Sequence, residues 1–214
     1  MTFKTTHAAI ALGLFLGAAQ AGAVTITFDE LAEGTTLSNQ YAAMGAVFSP
    51  NAFTGAGGPS GQDWATNTDM TITSIDTGDV GGLGTPSLVS GNVLHSFGGW
   101  LNEDGDGSFS IDFSTPVNSV SMDFAGVATP ADVQLFAYNG ATLLGTVAGT
   151  VTTGQFTLSF AAASITSVAV TPGSFDDWVG VDNVVFAPVP EPASYLLMGL
   201  GLATLLAFRH RSRT

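Results

Sequence analysis

Between residues 24 and 188 apolar side chains recur at every second position, in short runs separated by Gly, Pro, Asn and Asp. Such alternation turns one face of an extended strand inward and leaves the other in water. Phe109, Ile111 and Phe113 alternate with Ser110 and Asp112, and Val120, Met122 and Phe124 with Ser121 and Asp123. Val133, Leu135 and Ala137 repeat the pattern, as do Phe156, Leu158 and Phe160, then Val168 and Val170, then Val179 and Val181 with Val184, Val185 and Phe186. Turn signals fall between the runs at Thr115-Pro116, Thr129-Pro130, Asn139-Gly140, Thr153-Gly154 and Pro172-Gly173. Asn139-Gly140 is the strongest hairpin signal of the set. About eight to ten strands at such spacing predict an all-β fold, an antiparallel β-sandwich of jelly-roll type. Helical periodicity is missing apart from a turn or two over Leu37 to Met44. Residues 51–91 read as long loops with a short strand at Met70 to Ile75, on one end of the sandwich, where binding usually resides.

The two ends of the chain break this pattern. Lys4 precedes an apolar stretch from Ala8 to Ala19 with small residues at Ala19, Ala21 and Ala23. These are the three parts of a secretory signal peptide, residues 1–23, cleaved after Ala21 or Ala23. At the other end, the 16 residues from Ala193 to Phe208 carry no charge, and Arg209, Arg211 and Arg213 follow. As a helix this run reaches about 24 Å, short against a hydrocarbon core of about 30 Å but able to insert with local thinning. The arginines hold the basic end in the cytoplasm and leave residues before Pro190 outside. Pro190 and Pro192 keep Glu191 on an extended stalk that a protease can reach.

The order Pro190-Glu191-Pro192, short apolar helix, terminal basic cluster resembles the PEP-CTERM sorting signal of Gram-negative bacteria, over residues 189–214. The resemblance implies transient anchoring in the membrane through the C-terminal helix. It also implies cleavage near Pro190 to Pro192 by an exosortase-type membrane protease, and release or attachment at the outer surface.

Charge narrows what the middle can meet. Lys4 and the three arginines are the only basic residues other than histidine, and all lie in the two end segments. Of the 17 acidic residues only Glu191 lies outside residues 24–188, which leaves 16 carboxylates and no Lys or Arg in that domain. Nucleic acids and polyphosphates, which are bound through Lys and Arg, are excluded as partners. Cations and neutral ligands remain. With no cysteine, cohesion rests on buried apolar surface and on any bound metal.

The opening Ile26-Thr27-Phe28-Asp29-Glu30-Leu31 and the closing Val181-Asp182-Asn183-Val184-Val185-Phe186 resemble the ends of jelly-roll carbohydrate-binding modules. In such modules the first and last strands run side by side and share a structural calcium between acidic residues. The resemblance implies Asp29 or Glu30 with Asp182 as calcium ligands. Two carboxylates brought together without an internal cation repel one another, which favours the same reading; outward strand positions facing water are the alternative. Asn102, Asp104 and Asp106 have the alternating oxygen spacing of a calcium loop, but Phe113 stands where the bidentate Glu of an EF-hand would be. An ordinary acidic turn before the Phe109 strand is the simpler account of that loop. Asp176-Asp177, before Trp178, forms a third acidic pair.

Trp64 and Trp100 sit in loop-like, Gly- and Asp-containing context, where an indole face suits a sugar ring and where core packing is the alternative. His95, within Val93-Leu94-His95-Ser96-Phe97, reads as structural, and nothing singles out a general base or a carboxylate pair for hydrolysis. The expectation is a non-catalytic, surface-sorted extracellular matrix protein that binds exopolysaccharide or another glycan with calcium in support. A structural matrix protein self-associating through divalent ions is the competing expectation, and a secreted polysaccharide hydrolase a more distant one.

Overall fold

The computed structural model describes residues 22–50, 70–75, 88–96, 108–127, 131, 133–150, 154–171, 179–189 and 201. The chain divides into two units, Ala21–Val189 and a second formed by Met1–Gln20 with Pro190–Thr214. Of the second only Gly201 is described, and it is helical. The rest of the expected tail helix and all of the expected signal peptide except Gly22 and Ala23 lie outside the described residues. No helix among the described residues is long and apolar enough to cross a membrane.

The first unit is an all-β antiparallel sheet. Its strands are β1 (Val24–Ile26), β2 (Ala46–Pro50), β3 (Met70–Ser74), β4 (Asn92–Ser96), β5 (Phe109–Ala125), β6 (Gln134–Asn139), β7 (Thr142–Ala148), β8 (Gln155–Thr171) and β9 (Gly180–Pro188). A 3-10 turn at Ala42–Met44 is where the sequence suggested a short helix. The sheet runs β3-β4-β9-β5-β8-β6-β7, with β1 on β9 and β2 on β5.

Two runs that the alternation separates are each one strand. β5 passes straight through Thr115-Pro116, which the sequence marked as a turn. The inward positions shift from Phe109, Ile111, Phe113 and Val117 to Val120, Met122 and Phe124. That change from odd to even requires an extra residue, supplied at the register shifts between Asp112 and Ser119. Pro116 has no N–H to lose from the ladder, and its carbonyl accepts from Val189 N at 2.8 Å, consistent with the bulge positions that proline tolerates. β8 breaks opposite: Ser164 has φ 61°, and Ile165 faces Val117 across the pair. Before the break β5 lies between β2 and β8; after it, between β8 and β9. A sheet whose long strands bend and change partners wraps around its own apolar face. The core so enclosed draws on all nine strands and the loop residues Phe28, Leu37 and Tyr41.

The β6–β7 hairpin forms where expected, shifted by one residue. Asn139 pairs with Thr142, so the loop is Gly140-Ala141. Gly140 has φ 55° while Ala141 stays at negative φ, the requirement of a type II′ loop. Gly140 N donates to Thr166 Oγ1 at 2.8 Å.

β1 and β9 lie side by side, Val24 against Phe186 and Ile26 against Val184. This is the arrangement that brings the two ends of the domain, and their acidic residues, to one place.

Candidate functional site

Asp29 is set by the residue before it. Phe28 is fully buried, with its ring edge-on to Tyr41 at 5.7 Å and to Phe48 at 5.9 Å. Its backbone has φ 62°, a left-handed conformation that a bulky residue adopts only when its surroundings hold it. The buried ring does that, and the chain turns outward so that Asp29 and Glu30 are exposed. Leu31 N closes the turn on Phe28 O at 3.0 Å.

The turn docks on the entrance to β4. Asp29 Oδ1 accepts Asn92 N at 2.9 Å, and Asn92 Nδ2 donates to Leu31 O at 2.8 Å. Gly91, at φ +64°, lies directly under the carboxylate: a Cβ there would stand 2.1 Å from Asp29 Oδ1. Only glycine leaves room for the carboxylate where it sits.

Asp182 on β9 is 1% exposed and holds the same segment from the other side. Its Oδ2 accepts Ser90 N at 3.2 Å and its Oδ1 accepts Asn183 N at 2.7 Å. Asn183, at φ 49°, donates through Nδ2 to Leu88 O at 2.9 Å and to Asp123 Oδ2 at 3.0 Å. Asp123 faces Asp182 on one side and Thr157 on the other in the ladder, and the Thr157 hydroxyl donates to Asp123 Oδ1. Asp29 and Asp182 therefore clasp residues 90–92 between them, and Asn183 links the clasp to Asp123.

The potential here is negative and unbalanced. Burial pushes the Asp182 carboxyl up to about 6; the Asn183 and Ser90 N–H groups oppose this, and the charges of Asp29 and Asp123 add to it. The Tyr41 phenol is raised far above its ordinary value by burial first, then by Glu30, with Asp29 and Asp182 contributing. Its hydroxyl is buried and makes no hydrogen bond of ordinary geometry among the described residues, so the Glu30 effect is that of a nearby carboxylate.

The structure thus brings together Asp29 and Asp182, with Glu30 beside Tyr41. Sequence reasoning missed Asp123, Asn183 and residues 90–92. Asp123 read as an ordinary outward strand position, and the only local signal in the others was Gly91-Asn92 before a strand. Asn102, Asp104, Asp106, Trp64, Trp100, Asp176, Asp177, Pro190, Glu191 and Pro192 lie outside the described residues. His95 lies on β4 opposite Thr71 and Gly180.

The donor chemistry fits a hard cation in part. Asp29 Oδ2 accepts no hydrogen bond among the described residues, and every available side-chain ligand is an oxygen, as calcium prefers. No three acidic or histidine side chains converge as a ready cage among the described residues. Asp29, Glu30 and Asp182 would supply part of a shell, completed by backbone carbonyls or water.

No curated protein matches the chain. Among solved structures it is similar to the K2 cleaved adhesin domain of Lys-gingipain, at TM-score 0.44 and 14% identity over 78% of this chain and 99% of that domain. It is also similar to the K3 cleaved adhesin domain of Lys-gingipain from Porphyromonas gingivalis, at TM-score 0.29 and 13% identity over 72% and 97%. At this level of likeness neither domain says what this chain binds. The decisive match is at the tail, and it begins at the last residue of β9, where the sheet ends. The chain carries, at residues 188–212, a match to the PEP-CTERM protein-sorting motif, which supports its being an exosortase substrate.

Proposed function

We infer that the chain is exported, held in the membrane by its tail, processed near Pro190 to Pro192 and delivered to the cell surface or extracellular matrix. There it acts as a non-catalytic matrix component. Its β domain, a sandwich of jelly-roll type, binds exopolysaccharide or another glycan. Calcium at Asp29, Glu30 and Asp182 fixes the entrance to β4, and Trp64 and Trp100 offer stacking faces for sugar.

The sorting motif carries the destination. The binding part rests on the clasp of Asp29 and Asp182 around residues 90–92 in a domain without a Lys or Arg. A bound divalent ion relieves the repulsion there and makes the loop geometry depend on calcium. Matrix assembly by divalent ions bridging exposed carboxylates is the second reading, favoured by the 16 carboxylates of residues 24–188.

Co-sedimentation of the exported, processed protein with the producing organism's own exopolysaccharide separates the two. Binding is expected in about 1 mM calcium, the range of extracellular calcium modules, and is lost in chelator. A folded sample that binds in neither condition overturns the glycan reading, and calcium-dependent self-association without glycan affinity replaces it with the second.

A further inference from the structure

The exposed edges of a β-sheet are templates for pairing with another chain, and proteins close them with loops, charges or proline. Here two edges are closed by the loop between β1 and β2. Along β2, Ala46 N donates to Tyr41 O at 3.2 Å and Phe48 N to Ser38 O at 2.8 Å. Along β3, Leu37 N donates to Met70 O at 2.7 Å, Gly34 N to Ile72 O at 2.8 Å, and Ile72 N to Thr35 O at 2.9 Å. β1 is three residues long and runs into Asp29 and Glu30.

β7 is treated differently. Among the described residues it is the last strand of the sheet and pairs only with β6. None of its backbone groups meets a covering loop among the described residues. Its sequence, Thr142-Leu143-Leu144-Gly145-Thr146-Val147-Ala148, has no charge and no proline. Leu144 and Val147 pack on the core, while Leu143 is 51% exposed. The register shift lies at the hairpin end, between the Ala137–Gly145 and Tyr138–Leu143 pairs, and Gly145 to Ala148 pair regularly. Seven residues offer an edge about 24 Å long.

Charge identifies the occupant. Residues 133–175, which contain β6, β7 and β8, hold no Asp, Glu, Lys or Arg, and all 16 carboxylates of residues 24–188 lie outside that span. A basic partner is drawn to the acidic strands and not to this edge. Two copies of so acidic a domain repel through most of their surface but not through the neutral edge. We propose that a second copy of this chain pairs along β7, edge to edge and antiparallel, joining two sheets into one. Such a two-fold contact sets each backbone donor against its own complement, and main-chain hydrogen bonds supply the affinity. Unlike carboxylate bridging, it needs no metal.

The test is sedimentation of the processed protein over a concentration series in chelator. A reversible dimer is expected. Leu143→Lys combined with Thr146→Lys, both at exposed positions, should weaken it more than tenfold, because like charges then face each other across the pair. Val47→Lys, on the closed edge of β2, should leave it unchanged. Amide hydrogen exchange on the unsubstituted protein gives a second reading that needs no variant: β7 amides should be protected at high concentration and exchange on dilution. A monomer at every concentration, a dimer that disperses in chelator, a dimer that survives both lysines, or β7 exchange indifferent to concentration each overturns the proposal. None of these outcomes depends on whether the domain binds glycan.

Discussion

Acidification in chelator from pH 7 to about pH 4 is expected to stabilise the β domain, against the common behaviour of proteins whose carboxylates are paired. The reason is Asp182, whose folded carboxyl sits at about 6 against an ordinary 3.8, chiefly through burial. A carboxyl raised in the folded state binds its proton more tightly there than in the unfolded chain. Its contribution is fully present below the ordinary value and is lost as pH rises through about 6. A shift of about two units corresponds to roughly 3 kcal/mol, or about 6–12 °C in Tm for a domain of this size. Thermal unfolding as a function of pH checks this, and Asp182→Asn should flatten the profile between about pH 4 and pH 6. A wild-type Tm that falls over that interval contradicts the assignment. At pH 7 calcium should raise the Tm in the wild type and much less in Asp182→Asn, if the ion takes the place of the proton.

Phe28→Ala should be the most damaging single substitution near the site. It removes a fully buried ring packed on Tyr41 and Phe48, a deletion that costs about 3–5 kcal/mol. It also removes what holds the left-handed backbone ahead of Asp29 and Glu30. The expected result is therefore double: a large loss of stability, and a calcium affinity lower by about 10- to 100-fold, the scale seen when groups supporting a ligand are lost. Phe113→Ala provides the comparison. Phe113 is 8% exposed and packs on Phe186 at 5.0 Å, away from the clasp. It should lose comparable stability while keeping the calcium response. Chemical denaturation with and without calcium measures both. Equal calcium affinity in the two variants would detach Phe28 from the site.

The strands were legible because a two-sided sheet imposes period two on its residues, and runs such as Val120, Met122, Phe124 have no other economical explanation. The pairing of β1 with β9 was also anticipated, through the likeness of the chain's ends to those of jelly-roll modules. The continuity of β5 and β8 was hidden because a bulge shifts the inward parity, which in sequence looks like a strand end followed by a turn. Thr115-Pro116 strengthened that illusion. At the site, Asp29 and Asp182 stood out as acids near the two ends, but what they touch did not. Their hydrogen-bond partners are backbone N–H groups of residues 90–92, which any sequence possesses. Asp123 joins only through cross-strand register, a long-range property. Gly91 carries its reason in a contact with Asp29 that is 62 residues away in the chain.

The β7 edge and the unbalanced acidic clasp both matter only if the domain reaches the outside of the cell, and that is what the sorting tail decides. The direct measurement is cell fractionation of the full-length chain, expressed where an exosortase-type protease is present, beside a variant with Pro190, Glu191 and Pro192 all changed to Ala. The wild type should appear as a shortened form at the surface or in the medium, and the variant should remain full length in the membrane fraction. Identical processing and release of the two would contradict the account.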